Sequence, residues 1–256
     1  MGFSTEWLAL REPADLAARD GELLEAAGNE ARRAAGTLAP VIVDLGCGTG
    51  STARAFGGRL PGAHWRLVDG DAVLLEEAVA RCGGTAHLGD LARLEDLPLE
   101  GAHLVTASAL LDLMPEGWIE ALADRLLAAG LGLYAALNYD GVMRWQPALP
   151  QDAEVTVAFN AHQRSDKGMG PALGPDAAQR IAEALSARGF SVRVAPSPWR
   201  LGPGQAALHG ELCAGIAAAA DKVGCAVAPE WLAARRVFET AEIGHLDVLA
   251  VPPVVA

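Results

Sequence analysis

Three glycines on alternate positions, Gly46, Gly48 and Gly50, follow an apolar run and an acid in the segment VIVDLGCGTGS. Glycines so spaced let the backbone turn at positive φ and let a ligand touch the main chain with no Cβ in the way. The segment reads as a nucleotide-type loop. A permissive dinucleotide fingerprint, G-x-G-x-x-A, can also be taken from Gly48, Gly50 and Ala53. Charge separates the two readings. A pyrophosphate wants no carboxylate beside it, yet Asp44 stands two residues before the first glycine. Such an acid suits a ligand that carries an ammonium and a sulfonium. A second acid, Asp69, closes the strand-like run WRLVDGD 25 residues later, where a carboxylate can accept from both hydroxyls of a ribose. A third, Asp90, lies in LGDL.

In their order along the chain these segments resemble the motifs of class I S-adenosyl-L-methionine-dependent methyltransferases, whose first motif is an acid, one residue, then G-x-G-x-G. The resemblance covers residues 41–138 well and the ends only in topology. It implies S-adenosyl-L-methionine as cofactor and S-adenosyl-L-homocysteine as product. It sets Asp44, Gly46, Cys47, Gly48 and Gly50 at the amino-acid end of that cofactor and Asp69 with Gly70 at its ribose. Asp90 would accept from the adenine amino group while the Leu91 amide reaches a ring nitrogen. The segment LVTASALLDLMPEGW, with Ser108, is similar to the one lining the methyl-transfer site. Cys47 has no His in a fixed relation to it, so it reads as a small filler of the loop and not as a nucleophile.

Methyl transfer is an in-line displacement, so positioning can supply most of the acceleration and a base is optional. Where a hydroxyl or ammonium must lose a proton, His162, Asp112, Asp140 and His209 are candidates by residue type, with His209 more readily a core or helix-surface histidine. Asp112 follows the fourth expected strand and Asn138-Tyr139-Asp140 the fifth; both strand ends face the ligand crevice of a doubly wound sheet. The segment FNAHQRSDKGMGPALGP gathers His162, Arg164 and Lys167 within six residues of an acidic chain. There Arg164 is expected to anchor a carboxylate or phosphate on the acceptor, with Lys167, Tyr139 and Asn138 also binding it and His162 orienting it or taking its proton. The N/D-P-P-Y/F signature of methyltransferases acting on planar amines is replaced by Thr106-Ala107-Ser108-Ala109. Metal-dependent catechol-type enzymes carry an Asp-Asn pair after the fifth strand; here Tyr139 splits Asn138 from Asp140, and no metal is expected.

Apolar runs that alternate with helical patterns from Val41 onward must position these groups. Strands are expected at 41–45, 65–69, 86–89, 103–107, 131–138, 191–195 and 245–252, and helices at 71–81, 115–129 and 175–188. The fold expected is α/β, a doubly wound, seven-stranded, mostly parallel sheet of Rossmann-like methyltransferase type with helical cap insertions. A single domain would comprise a helical lid at 1–36, a cofactor-binding core at 37–138 and a substrate loop at 139–174. The C-terminal half of the sheet, 175–256, would carry inserted helices at 202–243, one of them over 230–243. Arg11 is the basic residue of the lid placed to meet a carboxylate, unless it is spent on an ion pair with Glu12 or Asp15.

A net charge of -12 and a pI near 4.9 argue against a nucleic-acid partner. Apolar runs are too short to span a bilayer, and no basic leader precedes one, so neither membrane nor secretion is expected. Four scattered cysteines read as reduced thiols of a cytoplasmic protein. The partner expected is a small-molecule substrate, with a homodimer as the oligomer to consider. Two other readings stay open: a catalytically silent relative that binds the cofactor as a regulator or partner subunit, and an NAD(P)-dependent oxidoreductase on the same sheet. The second lacks a Tyr-x-x-x-Lys pattern, since Met143 follows Tyr139 and Asn138 follows Tyr134 at that spacing.

Overall fold

The computed structural model describes residues 3–253. Its centre is an eight-stranded sheet made of β1 (Val41–Leu45), β2 (His64–Asp69), β3 (Thr85–Leu88), β4 (Leu104–Ser108), β5 (Gly132–Gln146), β6 (Ser191–Pro196), β7 (Trp199–Leu201) and β8 (Thr240–Val251). The order is β3-β2-β1-β4-β5-β8-β6, with β7 also paired to β8. Strands β1 to β5 pair in parallel, and β5, β6 and β7 all pair antiparallel to β8, so β8 alone runs against the rest. β1 is apolar apart from its acid and buried along most of its length, as a central parallel strand covered on both faces must be.

Helices fill both faces: α1 (Thr5–Ala18), α2 (Gly21–Ala35), α3 (Ser51–Phe56), α4 (Ala72–Cys82), α5 (Glu116–Ala129), α6 (Asp152–Gln163), α7 (Ala177–Ala187), α8 (Ala206–Lys222) and α9 (Ala228–Ala234). One apolar layer packs Leu45, Val105 and Leu133 against Leu122 and Leu126 of α5 and Ile181 of α7. The opposite layer packs Ile42, Leu67 and Tyr134 against Leu24, Ala27 and Ala31 of α2. Helix α2 is held at its start by Asp20, whose carboxylate accepts from the Leu23 amide at 2.7 Å, and it carries Arg32 and Arg33 in its last turn.

Two expectations about the distal half need correction. Strand β5 does not stop at Asn138 but continues to Gln146, pairing with Thr240 to Ile243 of β8 through register shifts after Ala135 and after Tyr139. The Asp140-Gly141 pair resembles a loop start, yet here it forms a bulge that bends the strand without ending it. The expected substrate loop is therefore strand, then α6, then loop. Likewise the helix expected over 230–243 ends at Ala234; Ala241 and Ile243 are buried while Thr240 is exposed and Glu242 partly so, the period of a strand. The overhanging ends of β5 and β8, with β7, carry a third apolar cluster around Trp145, Trp199, Trp231 and Ile216. Trp199 and Ile216 of that cluster line the second of the two clefts described below.

Candidate active site

In a doubly wound sheet a crevice opens at the carboxyl ends of the strands where the order reverses, here between β1 and β4. A cleft of about 590 Å³ lies there. Its floor is the loop after β1, in which Gly46, Gly48 and Gly50 have φ of +60°, +53° and +83°. A Cβ at Gly50 would lie 2.7 Å from the Cys82 sulfur, so backbone angle and space both require glycine at that position. Asp69, the last residue of β2, lines the cleft; one carboxylate oxygen accepts from the Gly48 amide at 2.9 Å and the other from the Asp71 amide at 3.0 Å. Each oxygen keeps a second acceptor site, so the carboxylate fixes the loop and can still receive two donors from a ligand. Cys47, Gly70, Leu91 and Ser108 also line the cleft.

Two of the acids expected at the cofactor, Asp44 and Asp90, do not line this cleft. Asp44 is fully buried beneath the loop, because the fourth position of β1 points across the sheet toward its register partner Thr106, whose hydroxyl donates to Oδ1 at 2.6 Å. Burial raises its pKa to about 7, with the Thr106 hydrogen bond and the charge of Arg19 opposing, and Oδ2 has no partner. Asp90 is exposed and turns back to accept from the Ala92 amide at 2.9 Å; Leu91, not Asp90, meets the cleft.

A second cleft, of about 690 Å³, shares Arg11, Ala109 and Leu113 with the first. Its walls are mostly apolar, with Trp7, Phe159 and Trp199 among them, and its polar lining includes Asp112, Tyr139, His162, Lys167, Lys222 and His245. Asp112 is buried with Oδ1 unpartnered, and burial raises its pKa to about 6. The Tyr139 hydroxyl donates to Asn160 at 2.8 Å, and burial followed by nearby carboxylates raises its pKa further. His245 sits on β8 between Tyr139 and Trp199 with Nδ1 unpartnered; burial lowers its pKa to about 3, so the ring is neutral. Among the described residues, the two non-glycine residues of positive φ, Ala109 at +49° and Leu137 at +56°, both line this cleft. Backbone strain of that kind persists where surrounding contacts over-determine it. Here the Leu137 amide donates at 2.8 Å to the buried Asp247, which also accepts from the Tyr134 hydroxyl at 3.0 Å.

Arg164, Asp140, Asn138 and His209 are not among the groups facing either cleft. Arg164 is exposed and bound to Asp176, with its Nη2 at 2.9 Å and Nε at 3.1 Å from one carboxylate oxygen, so the expected anchor is spent on a surface ion pair. Asp140 accepts from the Val142 amide at 2.9 Å within the β5 bulge. Asn138 is buried in the β5–β8 seam, donating to the carbonyls of Ala135 and Leu246 at 3.1 and 2.9 Å. His209 is buried and stacked on Phe238 with ring centroids 3.6 Å apart. Arg11 is paired with Asp15 at 2.8 Å, as the ion-pair alternative expects, and it also lines both clefts.

The residue pattern did not single out His245, Lys222 or Arg19. Lys222 lines the second cleft from α8. Arg19 is buried behind the first, its Nη2 donating to Ser108 at 2.9 Å while Nε and Nη1 lack partners. Lys222 carried one signal, as one of the chain's two lysines.

No family model matches the sequence, and no curated protein matches it. Solved structures do. A cyclopropane-fatty-acyl-phospholipid synthase-like protein from Lactobacillus casei ATCC 334 superposes with a TM-score of 0.58 at 14% identity, over 98% of this chain and 95% of that one. The YcgJ protein from Bacillus subtilis does so with a TM-score of 0.53 at 12% identity, over 90% of this chain and 99% of that one. With its 3-2-1-4-5 strand order, the reversed strand beyond β5 and the glycine loop at the crossover, this chain has a Rossmann-like methyltransferase fold.

Proposed function

We propose that this chain transfers a methyl group from S-adenosyl-L-methionine to O or N of a small molecule. The observation that carries the reading is the pair of adjoining clefts. One has the glycine loop and a ribose-type acid; the other holds buried polar side chains that lack partners. When bound, the cofactor supplies an electrophilic methyl on a sulfonium. Around it, Asp69 would accept from the ribose hydroxyls and Gly46 and Gly48 would bring main chain against the amino-acid end. Leu91 would flank the adenine, and Arg11, with Arg19 behind Ser108, would offset the carboxylate. The glycine cradle fits such a ligand, since a Cβ at Gly46 or Gly48 would come within 3.1 Å of Leu110 or Leu8.

In the second cleft Asp112 is the proposed base. With a pKa near 6 it is mostly ionised at neutral pH and still basic enough to take a proton from a hydroxyl or ammonium. His245, held neutral by burial, is too weak a base for that step and offers its unpartnered Nδ1 for a hydrogen bond. The acceptor expected from the basic segment bears a carboxylate or phosphate, and His162 and Lys167, not Arg164, support that here. Residues 1–36 act as the lid in this reading. Helix α1 is clamped by Asp15, which receives both Arg11 and the Trp199 indole at 2.9 Å, and it lays Leu8 and Arg11 over the cofactor cleft.

Hydrogen exchange with and without S-adenosyl-L-homocysteine tests the reading. Protection is expected at 46–50, at 69–71 and in α1. Unchanged exchange at the glycine loop under saturating ligand would overturn it.

A further inference from the structure

The chain has 20 basic Lys and Arg residues against 32 acids, and two of the 20 are lysines, Lys167 and Lys222. Both line the second cleft, one from the loop after α6 and one from the last turn of α8. Among the described residues neither forms an ion pair, whereas Arg11, Arg54, Arg164, Arg180 and Arg188 all do. Lys167 instead donates to the His162 carbonyl at 2.8 Å and lies 3.3 Å from His162 Nδ1. Burial lowers the pKa of Lys167 and of His162, and the charge of Lys222 lowers both further, so the three groups crowd one end of the cleft. Asp112 offsets part of the Lys167 charge, and two ammonium groups against that one carboxylate leave a positive potential at this end for a ligand to meet.

The rest of that cleft is arranged along one face of α8, where Leu212, Gly215, Ile216 and Ala219 lead from Glu211 to Lys222. At the α-helical rise, Glu211 stands about 16 Å up the helix from Lys222, so its carboxylate belongs to the opposite end. Asp112, the other acid of the lining, is buried and is the proposed base. Between the poles the walls are aromatic and aliphatic.

We infer that the acceptor is an amphiphile with an apolar body along the α8 face and an anionic end, a carboxylate or a phosphate, held between Lys167 and Lys222. The inference rests on the second cleft being the acceptor site and names the class of acceptor. The cleft volume lies in the range that encloses a drug-sized ligand. Two ammonium groups would each give a charge-assisted hydrogen bond to one anion, while the neutral His162 imidazole can donate from its remaining nitrogen.

The test is binding of decanoate, decyl phosphate and neutral decanol to the full chain, read by calorimetry with and without S-adenosyl-L-homocysteine. At least one anionic probe is expected to bind about tenfold or more tightly than decanol. The K167M/K222M double variant is expected to lose that preference while keeping its affinity for S-adenosyl-L-homocysteine within twofold. The milder K222M, at an exposed position, is expected to lose part of it. Which anion binds better separates a carboxylate from a phosphate source. Equal binding of decanol, a preference retained by the double variant, or no binding of any probe would each overturn the inference. Anion binding without any binding of S-adenosyl-L-homocysteine would sink the methyltransferase reading and leave the anion subsite standing.

Discussion

Replacing Asp44 with Asn isolates a single buried carboxyl whose titration is coupled to folding. Asp44 is fully buried, one oxygen satisfied by Thr106 and the other without a partner, and its pKa is raised from 3.8 to about 7, first by burial. Because the folded state holds the proton more tightly than the unfolded state, this group favours folding at low pH and loses that contribution as pH rises toward 7. With those two pKa values the linkage relation gives a loss of about 2.5 kcal/mol between pH 5 and pH 8. Asn keeps the acceptor for Thr106 and cannot titrate. Urea unfolding of wild type and Asp44→Asn at both pH values would measure the effect. The difference between the two proteins should shift by about 2 to 3 kcal/mol in favour of the variant as pH rises from 5 to 8. A difference that stays constant with pH would show that Asp44 is already ionised at pH 5, and with it that the carboxylate is compensated by Arg19 rather than held neutral.

Other outcomes follow from the same geometry. With Asp112 as base, turnover should rise through about pH 6 and level off above it, and Asp112→Asn should abolish that limb; a profile unchanged in the variant would remove Asp112 from the chemistry. Gly50→Ala meets both a φ of +83° and a 2.7 Å approach to the Cys82 sulfur, so it should cost about 1 to 3 kcal/mol in denaturant unfolding, and a neutral result would refute the steric argument for the loop. Arg164→Ala should leave ligand affinities unchanged and stability within about 0.5 kcal/mol, since it breaks an exposed ion pair; a rise in acceptor KM would restore Arg164 to the site.

The cleft with the glycine loop was legible because its signal is local. A strand, a glycine loop and an acid at the next strand's end fix Asp69 and Gly46 to Gly50 in space once the strands pair in parallel. Asp44 carried the same local signal but is buried and does not line the cleft. The alternation of a strand tells that neighbours face opposite ways, but which face looks onto the ligand depends on Thr106 across the sheet. The acceptor half was less legible for a related reason. The cluster of His162, Arg164 and Lys167 is contiguous in sequence, yet Asp176 takes Arg164 out of it and Lys222, 55 residues beyond Lys167, brings the second ammonium in from another helix. His245 could not be told from any strand histidine until β8 was paired with β5 opposite Tyr139. The Asp140-Gly141 bulge hid the long β5–β8 ribbon, since a bulge and a turn share their residue types.

Calorimetric titration of S-adenosyl-L-methionine and its demethylated product into wild type and Asp69→Ala tests the central claim most directly, with NADH as the control ligand. Wild type should bind both sulfur ligands in the micromolar range and NADH not detectably, and loss of the carboxylate should weaken binding by about 1.5 to 3 kcal/mol, roughly ten- to a hundredfold in Kd. Unchanged affinity in the variant, or NADH binding where the sulfur ligands show none, would contradict the account.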